Sequence, residues 1–184
     1  MNWVKLMSGV LAYLAVGLVY VAFFSYPVNP AYVDNKEYHL EKEQTYSTLP
    51  YVVYRIYLRE SAAPGILLVA TVRTPFLPHS TYSKILRAME GIIENETKKR
   101  YNADIDLVYR EEVQATISNH TVVMAYYDVH LKYLNFEHFF RPDTVKLYFG
   151  AFFCNQEYES VIVAYVAPPY LNENFEDVMN GIRC

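Results

Sequence analysis

Met7-Ser-Gly-Val-Leu-Ala-Tyr-Leu-Ala-Val-Gly-Leu-Val-Tyr-Val-Ala-Phe-Phe24 runs for 18 residues without a charge, and Val4 and Leu6 stand just before it. At 1.5 Å rise per residue such a stretch makes roughly 27 Å of helix, near the thickness of a bilayer's hydrocarbon core. Trp3 and Tyr26 flank it in the positions of interfacial anchors. The expectation is one transmembrane helix, with residues 4–24 in contact with the lipid bilayer. The exit, Val21-Ala-Phe-Phe-Ser-Tyr-Pro27, fits the small-residue pattern of a signal-peptidase site poorly. An uncleaved signal anchor is therefore expected in place of a removed leader. The helix carries no ionisable residue in its middle, which argues against an ion or proton path through it. Ser8, Ala12, Ala15 and Ala22 fall roughly on one face and would let another helix approach.

Orientation follows less directly. Lys5 precedes the stretch, while Lys36 and Lys42 follow it among Asp34, Glu37, Glu41 and Glu43. Long domains translocate largely regardless of such charges. The two cysteines, Cys154 and Cys184, match no metal-ligand spacing and no C-x-x-C motif. An even pair in an exported domain suggests one disulfide, whereas two free thiols are expected in a reducing cytoplasm. Asn95-Glu-Thr97 and Asn119-His-Thr121 match the N-glycosylation pattern. The sequence thus predicts a single-pass protein of the cell membrane with its C-terminal domain outside the cytoplasm. The expected organisation is an anchor over 1–26, a connector over 27–50 and an extracytoplasmic domain over 51–184. Net charge is −4 with the signs interspersed, so nucleic-acid binding has no electrostatic support.

Pro27 and Pro30 stop the first helix, and the polar stretch from Asp34 to Thr48 reads as a spacer that contributes at most an early strand. Tyr51–Leu58 is β-branched and aromatic, hence a strand, and Ile66–Val72 is an apolar run of strand length. Thr81–Arg100 reads as a long helix, because Tyr82, Ile85, Leu86, Met89, Ile92 and Ile93 recur at 3.6 spacing. Ile105, Leu107 and Tyr109 alternate with Asp104, Asp106 and Arg110 as in a half-buried strand. A turn near Ser118-Asn-His120 leads into a strand over Thr121–Lys132, and Thr144–Phe153 with Tyr158–Val166 reads as a further hairpin. A short terminal helix is expected with Phe175, Val178, Met179 and Ile182 on one face. Runs of strands with segregated helices predict an α+β domain, an antiparallel sheet packed with one long helix and one short C-terminal helix.

The helix Thr81–Arg100, the hairpin Glu111–Tyr126 and the ending Asn174–Cys184 together resemble the PsbP-like fold, as in archaeal membrane-anchored or exported proteins of that type. The turn departs from the pattern, with Asn119-His120 where similar chains commonly carry Asn-Gly. The resemblance implies a disulfide between Cys154, in the penultimate hairpin, and the terminal Cys184. It also implies an accessory or assembly module that docks on a membrane or surface complex.

No G-x-S-x-G, H-E-x-x-H, Walker or dinucleotide fingerprint occurs, so no catalytic residue, cofactor or resident metal is expected. Asp128 and His130 share a strand face and, with Glu137 and His138, form a conceivable metal set; Asp104 and Asp106 likewise share a face. Polar sheet faces explain both. Nineteen tyrosines and ten phenylalanines exceed what chemistry demands. Adjacent rings at Tyr126-Tyr127 and Phe139-Phe140 point to opposite sides, so one of each pair is free to meet a partner. The expected function is a membrane-anchored, non-enzymatic partner-binding protein. The alternative is a small-ligand-binding or sensory domain with an apolar cleft between Thr81–Arg100 and the strands.

Overall fold

The computed structural model describes residues 10–19, 28–46, 51–59, 65–73, 88, 91–96, 98–99, 102–133, 143–154, 159–167 and 175–184. The secondary structure is mostly β, with nine strands among the described residues. In chain order these are α1 (10–19), β1 (Tyr32–Val33), β2 (His39–Tyr46), β3 (Val52–Arg59) and β4 (Gly65–Arg73). Then follow α2 (helical at 88, 91–96 and 98–99), β5 (Ala103–Ile117), β6 (His120–Tyr133), β7 (Thr144–Cys154) and β8 (Glu159–Ala167). Helix α3 (Phe175–Asn180) and β9 (Ile182–Arg183) end the chain.

Two expectations are corrected here. No helix among the described residues is long and apolar enough to cross a membrane. Of Met7–Phe24, only α1 is described, and its side chains are exposed. Of the expected long helix Thr81–Arg100, positions 88, 91–96 and 98–99 are described and are helical, and the rest of that stretch lies outside the described residues. The α+β expectation gives way to a β-dominated architecture, because the strands are longer than their apolar runs suggested. The stretch read as a connector carries β1 and β2.

Seven strands form one antiparallel sheet in the order β2-β3-β4-β8-β7-β6-β5, and β1 pairs with β9 in a second. The large sheet is two meanders joined edge to edge where β4 meets β8, with Ile66 opposite Val166 and Val72 opposite Ser160. Both joining strands are buried over almost their whole length. A strand covered on both faces loses the inside–outside alternation and becomes a continuous apolar run, as Ile66–Val72 and Val161–Val166 show.

One face carries Ile56, Leu68, Val129, Val145, Leu147, Phe149 and Ile162, with Ile93 of α2 packed on it. The other carries Leu67, Val69, Val122, Met124, Val161, Val163 and Tyr165. The opposite cover comes from both ends of the described domain. Val178, Met179 and Ile182 lie on it from the C-terminal side, Ala31 and Tyr38 from the N-terminal side. Polar contacts pin the crossing segment. Ala31 N–H donates to the buried Thr71 Oγ1 at 2.9 Å, Asn29 N–H to Glu159 Oε1 at 2.9 Å, and Arg55 to the carbonyls of Pro30 and Ala31. Asp34 N–H donates to Gly181 O at 2.7 Å, tying the two ends together.

The β5–β6 hairpin turns at Ser118 and Asn119, with φ of 47° and 65°. Two consecutive positive φ values define the tight hairpin turn whose twist matches the flanking strands. The turn pair is thus Ser118-Asn119, one residue earlier than Asn119-His120. Ser118 also clasps the C-terminus: its hydroxyl donates to Ile182 O at 2.8 Å and accepts from Cys184 N–H at 3.2 Å. Beside that clasp, Cys154 and Cys184 are joined by a disulfide with Cα atoms 6.2 Å apart.

Three stability predictions follow from these contacts. Thr71→Val keeps the side-chain shape but orphans the buried Ala31 N–H, and should cost about 1–3 kcal/mol in urea unfolding. Pairing Cys154→Ser with Cys184→Ser opens a loop with a sequence separation of 30. Chain entropy assigns that opening about 3–4 kcal/mol, and reduction of the native protein should give the same shift. Asn119→Val should lose about 1–2 kcal/mol at its left-handed φ, whereas Asn119→Gly should lose almost nothing.

Candidate functional site

Alternation along β6 sends its odd residues to the α2 face of the sheet and its even residues to the α3 face. Along β5 this parity is broken. Ile105, Leu107 and Tyr109 oppose Leu131, Val129 and Tyr127, but past the register shift between Tyr109 and Glu111, Val113 and Ala115 oppose Met124 and Val122. The β-bulge moves odd residues from one face to the other. It places Val113, Ala115 and Ile117 against the α3-side core. It also turns Glu112, Gln114 and Thr116 onto the α2 face, with Glu112 opposite Ala125.

Around that carboxylate lies a cleft of about 230 Å³, lined by Ile93, Ile105, Leu107, Glu112, Val123, Ala125, Tyr127, Leu147, Phe149 and Gly150. Its rim is apolar and open to solvent: Leu107 is 40%, Tyr109 55% and Val123 52% exposed. Tyr109 stands edge-on to Tyr127 with ring centroids 5.6 Å apart, which holds the Tyr127 ring in place as a wall. Gly150 allows the sheet to close behind the cleft, since a Cβ there would meet Met124 Cγ at 2.7 Å.

On the α3 face the same three strands carry a tyrosine ladder. Tyr126, Tyr148 and Tyr165 are successive cross-strand partners, stacked with centroids 5.2 and 6.1 Å apart. Phe175 of α3 sits 4.2 Å from Tyr148, and Tyr38 donates its hydroxyl proton to Tyr165 Oη at 3.2 Å. At the open end Tyr126 Oη donates to Asp128 Oδ1 at 2.6 Å, Arg110 Nε donates to Asp128 Oδ2 at 2.6 Å, and Lys146 Nζ lies 5.8 Å from the Tyr126 ring centroid. Burial raises the Tyr126 hydroxyl above the ordinary tyrosine range, and the hydrogen bond to Asp128 raises it further. In return the Tyr126 hydrogen bond, followed by the Arg110 guanidinium, holds the Asp128 carboxyl below the usual carboxylate range. Burial also raises Tyr148.

These contacts account for several residues singled out in the sequence. Asp128 is committed to Tyr126 and Arg110, and His130 Nδ1 lies 3.2 Å from Thr144 Oγ1, so the two do not converge on a common point. Glu137, His138, Phe139 and Phe140 lie outside the described residues. Among the described residues no group of three potential ligands could hold a metal ion. Asp104 pairs with Lys98, and Asp106 Oδ2 lies 3.9 Å from Lys132 Nζ, two ion pairs on the surface. Tyr126 and Tyr127 do face opposite sides, one in the ladder and the other in the cleft wall. Asn95 and Asn119 are both exposed. Sequence reading missed Glu112. No sequence signal marks the change of face, because the apolar residues Ile105, Leu107, Tyr109, Val113, Ala115 and Ile117 are odd-numbered on both sides of the bulge.

No family model matches the chain, and no curated protein or solved structure matches it either.

The ladder's titration sets a pH profile. Asp128 is more acidic in the fold than in the unfolded chain, so its stabilisation is present above about pH 4 and is lost as pH falls through the folded value. Tyr126 is a weaker acid in the fold, so its contribution is present below about pH 10 and is lost as pH rises further. Urea midpoints from pH 2 to 11.5 should show a shallower acid limb for Asp128→Asn and a shallower alkaline limb for Tyr126→Phe.

Proposed function

We propose that this chain is a non-enzymatic binding domain that works in an oxidising, extracytoplasmic compartment and recognises a partner protein through the α2 face of β5 and β6. The observation that carries this reading is the rim of Leu107, Tyr109 and Val123 around the cleft. Over much of that face the sheet buries its apolar side chains under α2 and neighbouring strands, with Tyr46 on the β2 edge 45% exposed. Here it leaves three large ones in solvent beside a concavity, which is the arrangement of an interaction site. The Cys154–Cys184 bond favours an oxidising compartment. The likeness in sequence of the hairpin Glu111–Tyr126 and the ending Asn174–Cys184 to PsbP-like chains favours an accessory module that docks on a larger complex. A second reading, a small-ligand domain, is favoured by the cleft itself, although its volume falls below the ~300–1,000 Å³ of drug-sized ligand sites.

A photo-crosslinking residue placed at Val123 should trap a discrete partner in native cells, while the same residue at Glu41, on the exposed strand β2, should not. Adding Leu107→Lys should abolish the adduct yet shift stability by no more than about 0.5 kcal/mol, as expected of a surface position. Equal labelling from Val123 and Glu41, or none from Val123, would remove the partner-binding reading.

A further inference from the structure

We propose that the cleft takes a basic side chain of the partner, a lysine or arginine whose aliphatic stem lies along the apolar wall and whose cationic head reaches Glu112. This inference rests on the binding reading above and adds the chemistry of what is bound. Three observations converge on it. Among the described residues the cleft's side-chain lining is apolar or aromatic except for one carboxylate, and it includes no cation. Among the described residues nothing pairs with Glu112, although Arg55, Arg59, Lys98, Arg110 and Lys132 all meet carboxylates elsewhere. The bulge between Tyr109 and Glu111 is what brings this carboxylate to the apolar face, and bulges that re-aim a side chain are found beside working sites.

The chemistry of the guest follows from the walls. Glu112 is exposed and keeps its water, so a neutral apolar guest draws nothing from its charge. An anion would be repelled. A cation on an apolar stem satisfies both parts, because lysine and arginine bury their methylenes against apolar surface while the head keeps polar company. Tyr127 and Phe149 also line the cleft, and an aromatic ring attracts a cation placed over its face. The volume of about 230 Å³ is enough for one such side chain.

The test uses the full chain, isotope-labelled, titrated with n-hexylammonium, 1-hexanol and hexanoate, and with the peptides Ac-Val-Lys-Val-NH2 and Ac-Val-Nle-Val-NH2, where Nle is norleucine. The ammonium and the lysine peptide should shift amide resonances of Glu112, Val123, Ala125 and Phe149. Their affinity should exceed that of the neutral counterparts by about tenfold, the worth of one such charge contact. Glu112→Gln should erase that preference and leave the weak apolar binding of hexanol in place. The preference should also shrink between 50 and 500 mM NaCl. Equal binding of hexanol and hexylammonium overturns the cationic guest while leaving an apolar binding site intact. Binding of hexylammonium without the lysine peptide overturns the side-chain guest in favour of a free amine. Absence of any shift at the four residues overturns the inference, and the crosslinking result at Val123 then decides the broader reading separately.

Discussion

The pairing of β4 with β8 joins two meanders that otherwise share no strand, and it does so with segments that are apolar on both sides. Each fully buried valine, leucine or isoleucine there contributes about 1.5–3 kcal/mol relative to exposure, so the seam is the strongest region of the sheet. That strength imposes a condition. A strand apolar on two faces is stable only if both faces are covered, and one short helix covers only one of them. The other face is closed by two segments that are distant in sequence, 28–34 and 175–184. Thr71, the lone polar side chain midway along β4, is where the seam holds its cover: its hydroxyl accepts the Ala31 N–H. The disulfide, the Ser118 clasp and the β1–β9 pair all serve that closure.

The same condition relaxes toward the β5 edge. β5 is exposed along much of its length, and the hairpin forms a long arm of 15 and 14 residues. A long edge strand is an aggregation hazard unless it is twisted or charged. β5 has both devices, with Asp104, Asp106, Arg110, Glu111 and Glu112 along it and a bulge in its middle. The bulge protects the edge and, in one step, brings Glu112 to the lining of the proposed site. Edge protection and the proposed recognition therefore draw on the same irregularity in the ladder.

Much of the sheet is legible in the sequence. The apolar runs Ile66–Val72 and Val161–Val166 mark the doubly buried strands, and alternation marks β5 as half-buried. Helix lengths were not legible. Tyr82 through Ile93 share an apolar periodicity, but periodicity describes a face and not an end, and the described part of α2 is short. The charge-free stretch from Met7 to Phe24 matches a span by length and composition, while the helix described there is 10–19. The crossing of 28–34 was hidden for a different reason. Its attachment is made by backbone N–H groups and carbonyls meeting Thr71, Glu159 and Arg55, and such contacts leave no trace in hydrophobic patterning.

The tyrosine excess acquires a physical reason from this geometry. The α3 face must be apolar enough to bind its cover yet meet polar backbone from the crossing segments. Tyrosine supplies a large ring for packing and a hydroxyl for those backbone groups in a single side chain. Tyr57 shows the pattern directly: it is buried in the sheet and its hydroxyl accepts the Val33 N–H at 3.3 Å. Tyr165 lies in the seam and its hydroxyl meets that of Tyr38. Phenylalanine at either place would pack as well and leave a polar group without its partner, which costs more than the packing gains. The ladder that reaches Tyr126 is this same solution carried outward. At its solvent end the hydroxyl finds Asp128 in place of backbone, and Arg110 balances the charge. The α3 face carries this hydroxyl network, whereas the α2 face carries the apolar cleft with Glu112 in its lining. That asymmetry between the two faces of one sheet is why recognition is assigned to the α2 side and structural closure to the other.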